Sequence, residues 1–132
     1  MKIVVDTSII IAVITNERNK KKLIKLTEGA DLIAPSSLHW EIANAFSAMF
    51  KRNRIDLEKA KIAIKEYKKI PVQFYDIQLE AALEYSYEYD LYAYDAYFLV
   101  CAKNLNVPLL SIDNTLIKKA EKIGIKLLEV EK

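Results

Sequence analysis

Short apolar runs alternate with longer amphipathic stretches along the chain, and this pattern predicts most of its secondary structure. Ile3-Val4-Val5 reads as a buried strand ending at Asp6-Thr7-Ser8, which can cap a helix begun by Ile9 to Val13. A lysine-rich helix from about Glu17 to Glu28 follows, closed by Gly29, and Asp31 to Ala34 gives a second strand before Pro35. Ser36 or Ser37 caps a long helix in which Leu38, Ile42, Ala45, Phe46 and Met49 recur at three-to-four spacing. Asp56 caps the next helix, to about Lys69; Pro71 to Phe74 reads as a third strand, and a helix starts at Asp76. A further helix runs from Asp95 to Asn104, then a strand from Pro108 to Ser111, a helix from Asp113 to Ile123 and a last strand over Lys126 to Leu128. Strands alternating with helices imply the α/β class, with a central, mainly parallel sheet of about five short strands and helices on both faces.

Composition narrows the function. With 132 residues the chain, residues 1–132, fits one domain, which should bury roughly 68% of its unfolded surface. No stretch approaches the ~20 apolar residues of a membrane span and no signal peptide is present, so a cytoplasmic protein without membrane contact is expected. Cys101, the only cysteine, excludes an intrachain disulfide and a thiolate zinc cage; its apolar neighbours make it a buried small hydrophobe. Both glycines, Gly29 and Gly124, stand where helices end, so no glycine-rich loop exists to cradle a nucleotide's phosphates.

The candidate chemistry lies in isolated acids. Ligands of parallel α/β sheets bind at the carboxyl ends of the strands. Asp6 directly follows the first strand, Asp113 follows Leu109 to Ser111, and Asp95 opens a helix whose dipole favours negative charge there. Glu41 lies one turn into its helix, and Asn44, three residues on, can hold its carboxylate by a hydrogen bond. Taken singly each acid has an ordinary explanation as a cap or an ion-pair partner. Four carboxylates meeting in one cleft would repel one another, which a divalent cation relieves. Oxygen-only ligands select a hard ion, Mg²⁺ or Mn²⁺, and the chemistry suited to such a site is phosphodiester hydrolysis by a metal-activated water. His39 is the only histidine, which rules out a histidine-pair ribonuclease; it reads as a packing residue.

Net charge is only +2, from 20 basic and 18 acidic residues, so bulk charge does not announce a nucleic-acid binder. Lys20, Lys21, Lys22 and Lys25, and Lys51, Arg52 and Arg54, can track a phosphate backbone, although such runs are more often solvated helix faces. Tyr85, Tyr87, Tyr89, Tyr92, Tyr94 and Tyr97 fall in helical segments; packing in the core or at a subunit interface is favoured over a platform for unpaired bases.

Four strings carry a family resemblance: Val4-Val5-Asp6-Thr7-Ser8, Pro35 to Ala45, Tyr94-Asp95-Ala96-Tyr97, and Leu110 to Leu116. In order and spacing the chain resembles the PIN domain family, specifically the VapC-like toxin ribonucleases of type II toxin-antitoxin systems. The resemblance implies a PIN-like three-layer α/β/α sandwich, RNA as substrate, a homodimer and a cognate antitoxin partner. It assigns Asp6, Glu41 and Asp95 to the metal, Asp113 as the fourth acid, and Ser8 and Ser111 as hydroxyls near the ion. Ser111 stands where the family more usually has threonine, a departure that keeps the hydroxyl. Two other readings remain: a catalytically silent PIN scaffold that binds RNA or protein, and an aspartyl phosphotransferase with Asp6 as nucleophile. The last fits badly, because Ser8 occupies the place of the second aspartate that such enzymes carry.

Overall fold

A computed structural model describes residues 1–130. Four strands, β1 (Lys2–Val5), β2 (Asp31–Pro35), β3 (Val72–Tyr75) and β4 (Leu109–Leu110), form one parallel sheet in the order β3-β2-β1-β4. The register pairs Ile3 with Leu32, Val5 with Leu110, and Pro35 with Tyr75. Seven helices surround it: α1 (Thr7–Ile14), α2 (Lys20–Thr27), α3 (Leu38–Lys51), α4 (Leu57–Lys68), α5 (Leu79–Tyr89), α6 (Ala93–Leu105) and α7 (Asn114–Ile123). The α/β class and the parallel sheet are as the sequence pattern implies. The fifth strand is reduced to a bridge between Leu109 and Leu127, held by Leu109 N–H to the Lys126 carbonyl at 2.9 Å and Leu128 N–H to that of Leu109 at 3.0 Å.

The centre of the sheet is apolar on both faces, as a covered parallel sheet must be. Ile3, Val4, Val5, Leu109 and Leu110 are fully buried, and α6 sends Phe98, Leu99, Cys101 and Ala102 into the same core. Helix α6 packs on β1 and β2, α5 packs on α6, and α1 meets α2, α3 and α4. Burial pushes the Cys101 thiol up to about 12, so it is an inert core residue, as its neighbours suggested.

Helix ends explain most boundary differences. Asn16 (φ 58°) takes the left-handed conformation after α1, and Glu17 N–H reaches back to the Ala12 carbonyl at 2.8 Å while Asn16 N–H bonds to that of Val13 at 3.3 Å. This is a Schellman cap on an asparagine. It turns the chain through Glu17 to Asn19, so α2 starts at Lys20 and not at Glu17. Asn53 and Asn106 close α3 and α6 with the same left-handed turn. Only Ser37 immediately precedes α3, and its hydroxyl does not cap it. Helix α5 begins at Leu79 because Asp76 is engaged elsewhere, accepting a hydrogen bond from Ser36 at 2.9 Å.

The tyrosines lie on or beside α5 and α6 as helical positions. Tyr85, Tyr89 and Tyr97 are half-buried, whereas Tyr87, Tyr92 and Tyr94 are exposed, so core packing accounts for only half of them. His39 is exposed, packs on Phe74 and shares a hydrogen bond with the Tyr67 hydroxyl, the packing role expected of it. No helix among the described residues is long and apolar enough to cross a membrane.

Candidate active site at the carboxyl edge of the sheet

Parallel strands deliver their carboxyl ends to one edge, and helix N-termini gather there. Asp6 leaves β1 and caps α1, accepting from Ile9 N–H at 3.2 Å. Asp113 follows β4 and caps α7, accepting from the N–H groups of Thr115 at 2.9 Å and Leu116 at 3.3 Å. Glu41 and Asp95 stand in the first turns of α3 and α6. All four carboxylates line one cavity of about 70 Å³, with Thr7 and Ser8 on its wall and Phe98 and Leu116 as apolar floor. Four positive helix ends thus face one small space.

Asp6 is the most enclosed of the four at 4% exposure, and its two oxygens are fixed from opposite sides. Ser8 Oγ donates to Oδ1 at 2.6 Å and Ser111 Oγ to Oδ2 at 2.6 Å. The hydroxyls are themselves held: Ile112 N–H donates to Ser8 Oγ at 3.1 Å and Asp113 N–H to Ser111 Oγ at 3.0 Å. Each serine therefore spends its proton on the carboxylate while the backbone fills its acceptor side.

Glu41 is held by two hydroxyls, Thr7 Oγ1 to Oε1 at 3.3 Å and Ser37 Oγ to Oε2 at 2.8 Å. Asn44, expected to do this, is exposed, and the contact is made from the other direction. Ser37 lies four residues before Glu41, a spacing that the sequence could have offered; Thr7, 34 residues away, has no local signal.

The electrostatics are those of crowded acids. Burial pushes Asp6 up to about 6; hydrogen bonds from Ser111, Ser8 and Ile9 oppose this, and the charge of Asp113 adds to it. Glu41 rises to about 7, first from burial and then from Asp95 and Asp6, against the hydroxyls of Ser37 and Thr7. Asp95 is raised by burial and then by Asp113. No described lysine or arginine forms an ion pair with any of the four. Among the described residues no three His, Cys, Asp or Glu side chains form a ready-made metal cage. An all-oxygen donor set lacking a counter-charge fits a hard divalent ion taken by one or two carboxylates with the rest of its shell as water, as Mg²⁺ prefers. It does not fit a site built entirely of protein ligands.

The basic clusters fall differently from one another. Lys51, Arg52 and Arg54 sit at the far end of α3, ten residues and so about 15 Å along the helix from Glu41. Lys20, Lys21 and Lys25 lie along α2, and Lys22 joins Arg18 on a larger cavity of about 760 Å³ whose wall includes Ser111, the partner of Asp6. Arg18 heads the first basic run of the sequence, although it is not among the residues expected to track a phosphate backbone.

Comparison with known proteins agrees with this fold. The family model described as PIN domain matches residues 3–122. Among solved structures, PAE2754 from Pyrobaculum aerophilum is similar with TM-score 0.70 at 23% identity, covering 93% of this chain and 95% of that one. VapBC2 from Rickettsia felis, in a crystal bound to a DNA fragment from their promoter, gives 0.68 at 13% identity over 99% and 100%. FitAcB from Neisseria gonorrhoeae gives 0.65 at 12% identity over 96% of each chain. No curated protein matches the sequence.

Proposed function

Because the chain belongs to the PIN domain family, we propose that it is a Mg²⁺- or Mn²⁺-dependent endoribonuclease, and the toxin of a toxin-antitoxin pair working in the cytoplasm. One observation carries the catalytic part: Asp6, Glu41, Asp95 and Asp113 share a cavity in which no described cation neutralises them. The toxin part rests on the VapC-like sequence strings and on the likeness of fold to VapBC2 and FitAcB.

In this reading Asp6 and Asp95 would hold the ion, with Glu41 and Asp113 orienting the waters of its shell. A bound divalent ion supplies Lewis-acid activation of water and charge for the phosphoryl oxygens. Ser8 and Ser111 lock the plane of the Asp6 carboxylate, and with Ile9 N–H also on Oδ1, Oδ2 keeps the lone pair left for an ion. Thr7 and Ser37 do the same for Glu41, whose carboxyl, raised to about 7 by burial and by Asp95 and Asp6, would fall again once an ion offsets those charges. Arg18 and Lys22 lie on the cavity beside Ser111 and are the basic residues placed to track RNA. Leu79, Leu83 and Tyr87, at successive four-residue steps on α5 and all exposed, support a homodimer.

Cleavage of unstructured RNA by the purified chain with and without EDTA tests the proposal. Metal-dependent cutting that disappears in Asp6→Asn and Asp95→Asn, both still folded, is the expected result. RNA binding without cleavage under either ion supports the silent scaffold.

A further inference from the structure

A second cavity, about 220 Å³ in volume, lies beside the carboxylates at the same edge of the sheet, where β2 and β3 end. Pro35 and Tyr75, paired in register as the last residues of those strands, form its base, and Tyr97 of α6 contributes an aromatic ring. The two cavities share a wall at one residue: Ser37 lines the second and donates to Glu41, which lines the first. Adjacent strands lie roughly 5 Å apart, so β1, with Asp6, is only one or two strand spacings away.

The chemistry of the second cavity differs from that of the first. Besides Ser37, its lining is mostly apolar and aromatic, with one hydrogen-bonded polar pair, Ser36 and Asp76, just past the ends of β2 and β3. Ser36 Oγ donates to Asp76 Oδ1 at 2.9 Å, which orients the carboxylate and leaves its second oxygen and one lone pair of the first as acceptors. A flat aromatic wall beside one oriented carboxylate suits a planar ring that carries hydrogen-bond donors on its edge. Tyr94 contacts the Tyr97 ring edge-on, with centroids 5.8 Å apart, which fixes the orientation of that wall.

We propose that this cavity takes one unpaired base of the RNA, with Tyr97 as its stacking surface and Asp76 reading its edge, and that guanine fits best. Guanine offers two adjacent N–H donors, N1–H and N2–H, on its pairing edge, which span both oxygens of a carboxylate, whereas adenine and cytosine set one donor beside an acceptor and uracil sets one between two acceptors. The inference rests on the ribonuclease reading, since only a substrate passing the acids brings a base to the neighbouring wall. Asp76 and Tyr97 are positioning residues; neither lines the carboxylate cavity.

The test is binding of fluorescently labelled, unstructured RNA oligonucleotides differing in one base, measured by anisotropy on the full chain in EDTA so that nothing is cut. The expected result is at least tenfold tighter binding of the guanine-containing oligonucleotide, a preference flattened by Asp76→Asn, with Tyr97→Leu weakening all bases about tenfold. Asp76 is exposed, so its amide variant tests the edge contact without burdening the core. Equal binding of the four oligonucleotides, an unchanged preference in Asp76→Asn, or variants that alter self-association and not RNA affinity would each overturn it. A guanine preference in a protein that cuts nothing with Mn²⁺ keeps the pocket and removes the nuclease. Metal-dependent cutting without base discrimination does the reverse.

Discussion

Replacing Asp6 by asparagine should make the metal-free protein more stable at pH 8 while removing its activity. Asp6 is almost fully buried, and its carboxyl is pushed from 3.8 to about 6. A group whose folded value exceeds its unfolded one contributes stability in full below the unfolded value and loses it as pH rises through the folded one. Two units correspond to about 3 kcal/mol, lost between roughly pH 4 and pH 7 as the enclosed carboxyl is forced to ionise. The amide avoids that ionisation and keeps its oxygen for Ser8 and Ile9. Its NH₂ then faces Ser111, whose hydroxyl must turn from donor to acceptor while still accepting from Asp113 N–H; this costs about 1 kcal/mol. The net is a gain of about 2 kcal/mol at pH 8 and a loss of about 1 kcal/mol at pH 4, with the curves crossing between. Urea unfolding of both proteins in EDTA at pH 4, 5, 6, 7 and 8, followed by far-ultraviolet circular dichroism, measures the difference directly. An Asp6→Asn protein no more stable than the wild type at pH 8, or a difference that does not grow with pH, would refute the electrostatic account of the site.

Other outcomes follow from the same geometry. Saturating Mn²⁺ should raise the wild-type melting temperature more at pH 8 than at pH 5, because ions compete with protons for the raised carboxyls of Asp6 and Glu41; thermal scans at the two pH values check this, and Asp6→Asn should show little response. Ser111→Ala removes the donor to Asp6 Oδ2 and the acceptor for Asp113 N–H, so it should lose about 2 kcal/mol at pH 8, whereas Ser111→Thr keeps most of that stability; urea midpoints compare them. Asn53→Ala keeps the Cβ but loses the short polar side chain that tolerates φ 54° and should cost about 1 kcal/mol, while Asn53→Gly is tolerated, read from the same unfolding curves. Trp40, the sole tryptophan, is 73% exposed, so its emission maximum should barely move on unfolding, a result that a fluorescence scan in urea checks.

What could be read from the chain was what repeats or lies close along it. Alternation of Ile3-Val4-Val5 and Leu109-Leu110 with amphipathic helices gave the parallel α/β arrangement, and strand-end positions pointed to Asp6 and Asp113. Glu41 and Asp95 join the same cavity, yet nothing local says that α3 and α6 turn these first-turn carboxylates toward each other. The support of Glu41 was assigned to Asn44 because only neighbours on one helix were considered, and Thr7 comes from another strand-helix junction. Helix ends were sought at glycines, but Asn16, Asn53 and Asn106 accept the left-handed turn through their short polar side chains. The last strand failed as a strand because a single bridge at Leu127 satisfies the edge of β4, itself only two residues long.

Ser111 and Asp6 are 105 positions apart, and the hydrogen bond between them spans almost the whole described chain. That bond, like the pairing of β4 with β1, can form only once the chain is present through residue 111. A nascent or clipped polypeptide ending short of β4 therefore carries acids without the hydroxyl clamp that aligns them. Under the ribonuclease proposal, a copy cut short of Ser111 is expected to be inactive for want of that hydroxyl.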